Sequence, residues 1–339
     1  VRADGRSSPE QILVSPSSLG GLSAIVIAAR DAHQATFGDA EALRLGIQVT
    51  HSGRLSRPGP SGEPAPVSVR QFSDYGGKIE LGRDVPLFSD DQLYELVDDY
   101  VRAVALVAEA GFDFVDLKAC HGYLSHELLG AFEREGDFGG SLANRMRFLR
   151  LIIQGARSVA PDLKLSLRLS AFDTVAHVKG TDGVGVPATV GQSRYWFGTD
   201  ETGHLIDLEE PIQLLTNVRD LGVDLICVTG SSPYNSWHLQ RPALSSKPSE
   251  YSTPEDPLQG VARHIDVTRR LNSAVPGITT VGSGYSYLQQ WLPNVAQAAV
   301  RRGYTDVVGI ARMHLACPTF AADVSRGAFL DTARIAAAF

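Results

Sequence analysis

Asp116-Leu117-Lys118-Ala119-Cys120-His121-Gly122-Tyr123-Leu124 continues an apolar run that begins at Phe112, and the chain turns abruptly at Gly122. Residues 112–118 read as a buried strand. His126, Glu127, Leu128 and Leu129 follow the turn. Such a strand delivers Lys118, His121 and Tyr123 to its C-terminal end. They are a cation, an imidazole and a phenol, three hydrogen-bond donors of different acidity within a few residues. In an α/β barrel, that end of the strands carries the chemistry.

Outward from this stretch, strands and helices alternate. Strands are expected near 43–50, 112–118, 163–169, 225–228, 278–281 and 306–310. Helices are expected over 22–37, with Ile25, Ala28 and Ala32 on one side, and over 142–159, 210–221, 258–271 and 287–302. The clearest helix start is Ser89-Asp90-Asp91-Gln92, a capping box in which the Ser hydroxyl and the Gln side chain each satisfy a free backbone N–H. The helix after it carries Leu93, Leu96, Val97, Tyr100, Val101, Val104 and Val107 at helical spacing, and Gly111 stops it. Long loops at 55–88, 171–208 and 230–256 all follow strands. The alternation implies a parallel sheet with right-handed crossovers, and the long loops on one side imply a decorated (β/α) barrel face.

With 339 residues, 43% hydrophobic and 20% charged, the chain reads as one large α/β domain over 1–339. A net charge of −7 with no Lys/Arg block argues against a nucleic-acid surface. No apolar run approaches the ~20 residues of a membrane span. Cys120, Cys227 and Cys317 form no Cys-x-x-Cys pair, so no metal site is legible, and scattered thiols suit a reducing cytoplasm. A homo-oligomer is left open.

Two glycine turns stand near the C-terminus: Val281-Gly282-Ser283-Gly284, and Val308-Gly309-Ile310-Ala311-Arg312 one strand–helix unit later. Glycines let backbone approach a phosphate, helix-start N–H groups point at it, and Arg312 can pair with it bidentately. Loops after strands 7 and 8 are the usual phosphate grip of barrels. A Rossmann site fits less well, because no third glycine follows at the proper offset.

The stretch around His121, together with Gly139-Gly140-Ser141-Leu142-Ala143-Asn144-Arg145-Met146-Arg147-Phe148, resembles the Old Yellow Enzyme family of flavin-dependent oxidoreductases. The resemblance implies a (β/α)8 TIM barrel, FMN as cofactor and NAD(P)H as reductant. It implies hydride transfer to an activated C=C of a small enone-like molecule, with Tyr123 as proton donor and Lys118 and His121 at the acceptor's oxygen. Gln48 falls where the family's Gln faces the flavin pyrimidine edge, Arg168 where its Arg approaches N1 and O2, and Gly282, Ser283, Gly284, Gly309 and Arg312 at the FMN phosphate. His51 and Arg54 match the family's His-x-Gly-Arg and read as loop scaffolding. Lys118 departs from the pattern, which usually has His there. It could hold an enolate, bind a substrate carboxylate or lean toward the flavin. Thr50 replaces an aromatic residue of some members. Cys120 reads as packing, and Trp196 and Phe197 either cap the site or pack on their own loop.

Two other readings remain: a phosphate-binding barrel lyase or isomerase with Lys118 as Schiff-base lysine, and a catalytically inactive ligand-binding barrel. Six strands fall short of the eight that close a barrel. Val1-Arg2-Ala3-Asp4-Gly5-Arg6 resembles the loop after the family's second strand. The chain is therefore expected to be an N-terminally truncated barrel of about six βα units. Its edge strands at 43–50 and 306–310 should be open, and expressed alone it should be poorly soluble or flavin-poor.

Overall fold

The computed structural model describes residues 1–70, 85–189, 196–244, 250–328 and 335. Tyr195, part of the loop 55–88 and the last four residues lie outside the described residues. Six parallel strands form the main sheet: β1 (Gly46–Val49), β2 (Phe114–Ala119), β3 (Lys164–Ser170), β6 (Leu225–Thr229), β7 (Thr279–Gly282) and β8 (Val307–Val308). They stand side by side in chain order. A separate antiparallel pair, β4 (His177–Lys179) and β5 (Gly185–Pro187), forms within the loop after β3.

Each strand of the main sheet thus sits beside the preceding one, and every crossover runs the same way round. Right-handed crossovers in that order place the helices on one side and bend the sheet as a barrel wall, not as a doubly wound sheet. β1 and β8 are the edges, as expected from the strand count. Residues 1–18 supply two short 3-10 turns and no strand.

Alternation in β2 separates two faces. Val115, Leu117 and Ala119 are fully buried, whereas Phe114, Asp116 and Lys118 on the other face are only half buried. The buried set packs under α2 (Asp90–Glu109) and α5 (Arg147–Val159). α2 begins as expected: Ser89 accepts from the Gln92 N–H while the Gln92 side chain accepts from the Ser89 N–H. Its stripe of Leu93, Leu96, Val97, Tyr100, Val104 and Val107 is buried; each such side chain contributes about 1.5–3 kcal/mol on leaving water.

Three expectations need correction. In α1 (Leu19–Phe37), Leu22 and Val26 are the buried residues, and Ile25 is 52% exposed. That helix is apolar nearly all round, so periodicity alone picks no face; the Arg30 pair with Asp113 fixes it instead. The segment 142–159 is two helices, α4 (Leu142–Arg145) and α5, joined at Met146. The segment 287–302 opens as a 3-10 helix (Tyr285–Trp291), breaks at Gln289 (φ 49°, ψ −124°) and becomes α9 (Leu292–Arg301), with Pro293 at its start.

The remaining helices are α3 (Leu124–Leu129), α6 (Glu209–Asp220), α7 (Trp237–Gln240), α8 (Pro257–Ala274), α10 (Arg312–Ala316) and α11 (Phe320–Ser325). No helix among the described residues is long and apolar enough to cross a membrane.

Candidate active site at the strand ends

Register aligns polar side chains in two rows across one face of the sheet, from exposed Gln48 on β1 to buried Ser166 on β3. Gln48, Asp116 and Ser166 are neighbours on β1, β2 and β3. One step nearer the C-terminal ends, Lys118, Arg168 and Cys227 are neighbours on β2, β3 and β6. In the first row Asp116 is the hub: Gln48 Nε2 donates to its Oδ2 at 2.6 Å and Ser166 Oγ to its Oδ1 at 2.6 Å. Burial pushes the Asp116 carboxyl up, against those two hydrogen bonds. With Nε2 engaged, Gln48 presents Oε1 as an acceptor.

In the second row, burial pushes Lys118 down to about 8, and the Arg168 charge acts in the same direction. The Lys118 ammonium lies 3.1 Å from the centroid of the Tyr123 ring, a cation–π contact. Arg168 Nε is buried without a hydrogen-bond partner. Cys120 is fully buried and its thiol is pushed up to about 12, so it stays protonated and inert.

The turn after β2 is held at all four of its backbone groups. His121 (φ 63°) and Gly122 (φ 73°) are both left-handed. The His121 N–H donates to Ser170 Oγ and its carbonyl accepts from Ser232 Oγ. The Gly122 N–H donates to His126 Nδ1, and its carbonyl accepts from Arg54 Nε. Arg54 and His126 thus hold the turn. Glu127 holds the segment across it, accepting from Ser68 Oγ and the Val69 N–H.

A Cβ at Gly122 would lie 2.6 Å from Arg54 Nη2, whereas Gly303, also left-handed (φ 67°), has open space. Gly122→Ala should therefore cost about 1–3 kcal/mol in chemical denaturation, clearly more than Gly303→Ala. Equal losses would mean that the Arg54 contact does not constrain the turn.

Above the turn, burial drives the His121 imidazole far below its usual range, with Arg168 and Lys118 adding to the effect, so the ring is neutral. Its Nε2 lies 3.3 Å from the Gln240 side-chain amide. Tyr123 is buried and opens α3. Burial raises its phenol, and the Tyr234 hydroxyl adds to this while Ser7 opposes it. Ser7, Asp116, Tyr234 and Gln240 are not marked by any motif; only Asp116, two residues before Lys118 on one strand, carried a signal, through strand alternation.

At the other side of the sheet, Ser283, Gly284, Gly309 and Arg312 come to adjacent strand ends. The expected use of glycine N–H groups as phosphate donors narrows here. The Gly282 N–H donates to Thr305 Oγ1 at 2.9 Å and the Gly309 N–H to the Gly282 carbonyl at 2.7 Å. Ser283 Oγ donates to the Val228 carbonyl. Gly284 (φ 86°) is required by the His264 ring, 2.8 Å from where its Cβ would lie. Arg312 opens α10, and burial together with the Arg241 charge pushes its guanidinium down to about 10. The sequence offered no sign of Arg241, which lies in a proline-rich loop.

Trp196 and Phe197 are buried: Trp196 packs with Val175 and Ala188 within its own loop, and Phe197 joins the main core. The second sequence cluster is structural. Arg145 is 2% exposed; it donates to the carbonyls of Leu129 and Gly140, pairs with both oxygens of Glu210 and lies over the Phe132 ring at 3.8 Å.

Gln48 held through its Nε2, an arginine on β3 whose Nε is buried without a partner, and a neutral imidazole, an ammonium and a phenol at the end of β2 thus lie within three neighbouring strands. The sequence pattern of the NADH:flavin oxidoreductase / NADH oxidase family matches residues 41–216, just over half of the 339, and the chain belongs to that family. It is 34% identical to an NADPH dehydrogenase of Bacillus velezensis over 136 residues, 40% of this chain and 38% of the relative. The chain thus spans about two-fifths of the length of that curated relative.

Among solved structures, it resembles 2-naphthoyl-CoA reductase in complex with 2-naphthoyl-CoA (TM-score 0.68, 20% identity, 96% of this chain and 43% of that one). It also resembles the old yellow enzyme homologue from Zymomonas mobilis (TM-score 0.64, 18% identity, 97% and 78%). The fold is accordingly that of the TIM barrel, present here as six parallel strands.

Proposed function

We propose that this chain carries the active site of an FMN-dependent NAD(P)H oxidoreductase that reduces an activated C=C of a small electron-poor molecule. The observation that carries the reading is the meeting of Lys118, His121 and Tyr123 with Arg168 on adjacent strand ends. FMN, when bound, supplies the hydride taken from NAD(P)H.

The residues present fit that group by their donor set. Gln48 Oε1, with Nε2 engaged by Asp116, would accept from a ring N–H, and Arg168 would donate to an acceptor edge of the ring or to a developing negative charge. Arg312, with Arg241 near it, supplies positive charge for a phosphate. His121 and Lys118 donate toward the acceptor's oxygen, where charge develops as hydride arrives. Tyr123 keeps its proton well above neutral pH and gives it to the carbon next to that oxygen-bearing group.

Arg312→Ala should weaken FMN binding far more than Arg302→Ala, an exposed residue at the end of α9. A fluorescence titration with FMN and with riboflavin reads this. FMN affinity should drop toward that of riboflavin in Arg312→Ala alone. Equal flavin retention in both folded variants removes the assignment.

A second reading rests on the lowered Lys118. Part of this amine is free near neutral pH, as a Schiff-base lysine requires. Reductive trapping of a carbonyl substrate on Lys118 would support it, and family membership weighs against it.

A further inference from the structure

We infer that Lys118 selects an acceptor carrying a full negative charge beside its double bond, a small α,β-unsaturated carboxylate, in preference to a neutral ketone. The inference rests on the reading above and names its substrate class.

Two cations stand side by side on one face. Lys118 and Arg168 are register neighbours, and neither has an ion pair among the described residues. The nearest carboxylate, Asp116, sits one row lower and already accepts from Gln48 and Ser166. Burying adjacent like charges is unfavourable unless an anion joins them. In the proposed function Arg168 answers the cofactor ring, which leaves Lys118 without a counter-charge. A neutral ketone needs only a neutral donor, and the His121 imidazole, kept neutral by burial, already is one. An ammonium in addition is matched by an anion.

Its placement favours the substrate over the cofactor. The Lys118 Nζ lies against the ring of Tyr123, the proton donor of the proposed reaction. In an α,β-unsaturated carboxylate, Cα is bonded directly to the carboxylate carbon. An anion held by Nζ therefore brings Cα to the Tyr123 side chain. The reaction balances without a further reactant. The C=C receives a hydride at Cβ and the Tyr123 proton at Cα, NAD(P)H is oxidised through the flavin, and the carboxylate is unchanged. Solvent returns the proton to Tyr123.

The test uses FMN-loaded protein and two probes of similar shape, 1-cyclohexene-1-carboxylate and 2-cyclohexenone, titrated by their perturbation of the visible flavin band. The flavin band itself reports first whether the proposed function holds, so its absence defeats that reading and not this one. With flavin bound, the carboxylate should bind at least tenfold more tightly than the ketone. Lys118→Met should lose that preference by at least tenfold while Lys118→Arg retains it. The groups facing Lys118 are Arg168, Asp116, Cys120, His121 and Tyr123. Lys118 is the one whose pKa is set near 8, so carboxylate affinity should fall as pH rises through that value and ketone affinity should not. Equal affinity for the two probes, an unchanged preference in Lys118→Met, or a Lys118→Met effect confined to the flavin's reduction potential overturns the inference.

Discussion

Tyr123→Phe is expected to leave the reduction of bound flavin by NAD(P)H nearly intact and to slow reoxidation by an unsaturated acceptor by roughly 10²–10⁴-fold, the range for loss of a positioned general acid. The asymmetry between the two half-reactions is the informative part. Tyr123 is buried at the start of α3, with the Lys118 ammonium on its ring face and a hydroxyl held too basic to ionise at neutral pH. Hydride delivery to the flavin needs no proton from this phenol, whereas saturation of the acceptor does. The substitution removes one hydroxyl and leaves the ring, so the Lys118 contact and the turn at Gly122 persist. Stopped-flow measurement of each half-reaction separates the steps. Equal slowing of both would indicate a displaced flavin, and no slowing of the second would remove Tyr123 as the acid.

Arg145→Ala is expected to cost about 3–5 kcal/mol of stability, the usual penalty for breaking a buried ion pair from one side. Arg145 is 2% exposed and ties four parts of the chain together: the end of α3 through Leu129, the Gly140 turn, Glu210 in α6 and the Phe132 ring. Alanine would leave the Glu210 carboxylate and two carbonyls without their donor. Domains of this kind hold only about 5–15 kcal/mol in total, so the midpoint of urea unfolding should move far down. Lys in this position keeps the charge but loses the planar fork and the ring stacking, and should recover only part of the loss. A change within about 0.5 kcal/mol, the range of ordinary surface substitutions, would mean that this network is not what fastens α3 to α6.

The barrel wall was legible because its strands are short apolar runs, four of them closing at a glycine (Gly122, Gly230, Gly282 and Gly309), and all six expected strands occur in the order predicted. The capping box at Ser89 was legible for the same local reason: two side chains, three residues apart, decide it. Lys118, His121 and Tyr123 could be read because one strand and one turn carry all three. What joins them could not. The Asp116 bonds to Gln48 and Ser166 depend on the register of three strands more than a hundred residues apart in total, and Gln240 and Tyr234 arrive from a loop without periodicity. The buried side of α1 was ambiguous because its other side is apolar too. Arg145 looked like part of a family signature, and its role emerges only when Glu210, sixty-five residues later, packs against it. The Gly282 and Gly309 N–H groups looked like phosphate donors until Thr305 and the Gly282 carbonyl claimed them.

Anaerobic addition of NADPH, and separately NADH, to the protein supplied with FMN tests the central claim most directly. Supplied in excess, FMN should bind and its visible band should be perturbed. Its visible band should bleach with at least one of the two reductants and return when an α,β-unsaturated acceptor is added. No FMN binding at any concentration tested, or a bound flavin that neither nucleotide reduces, contradicts the account.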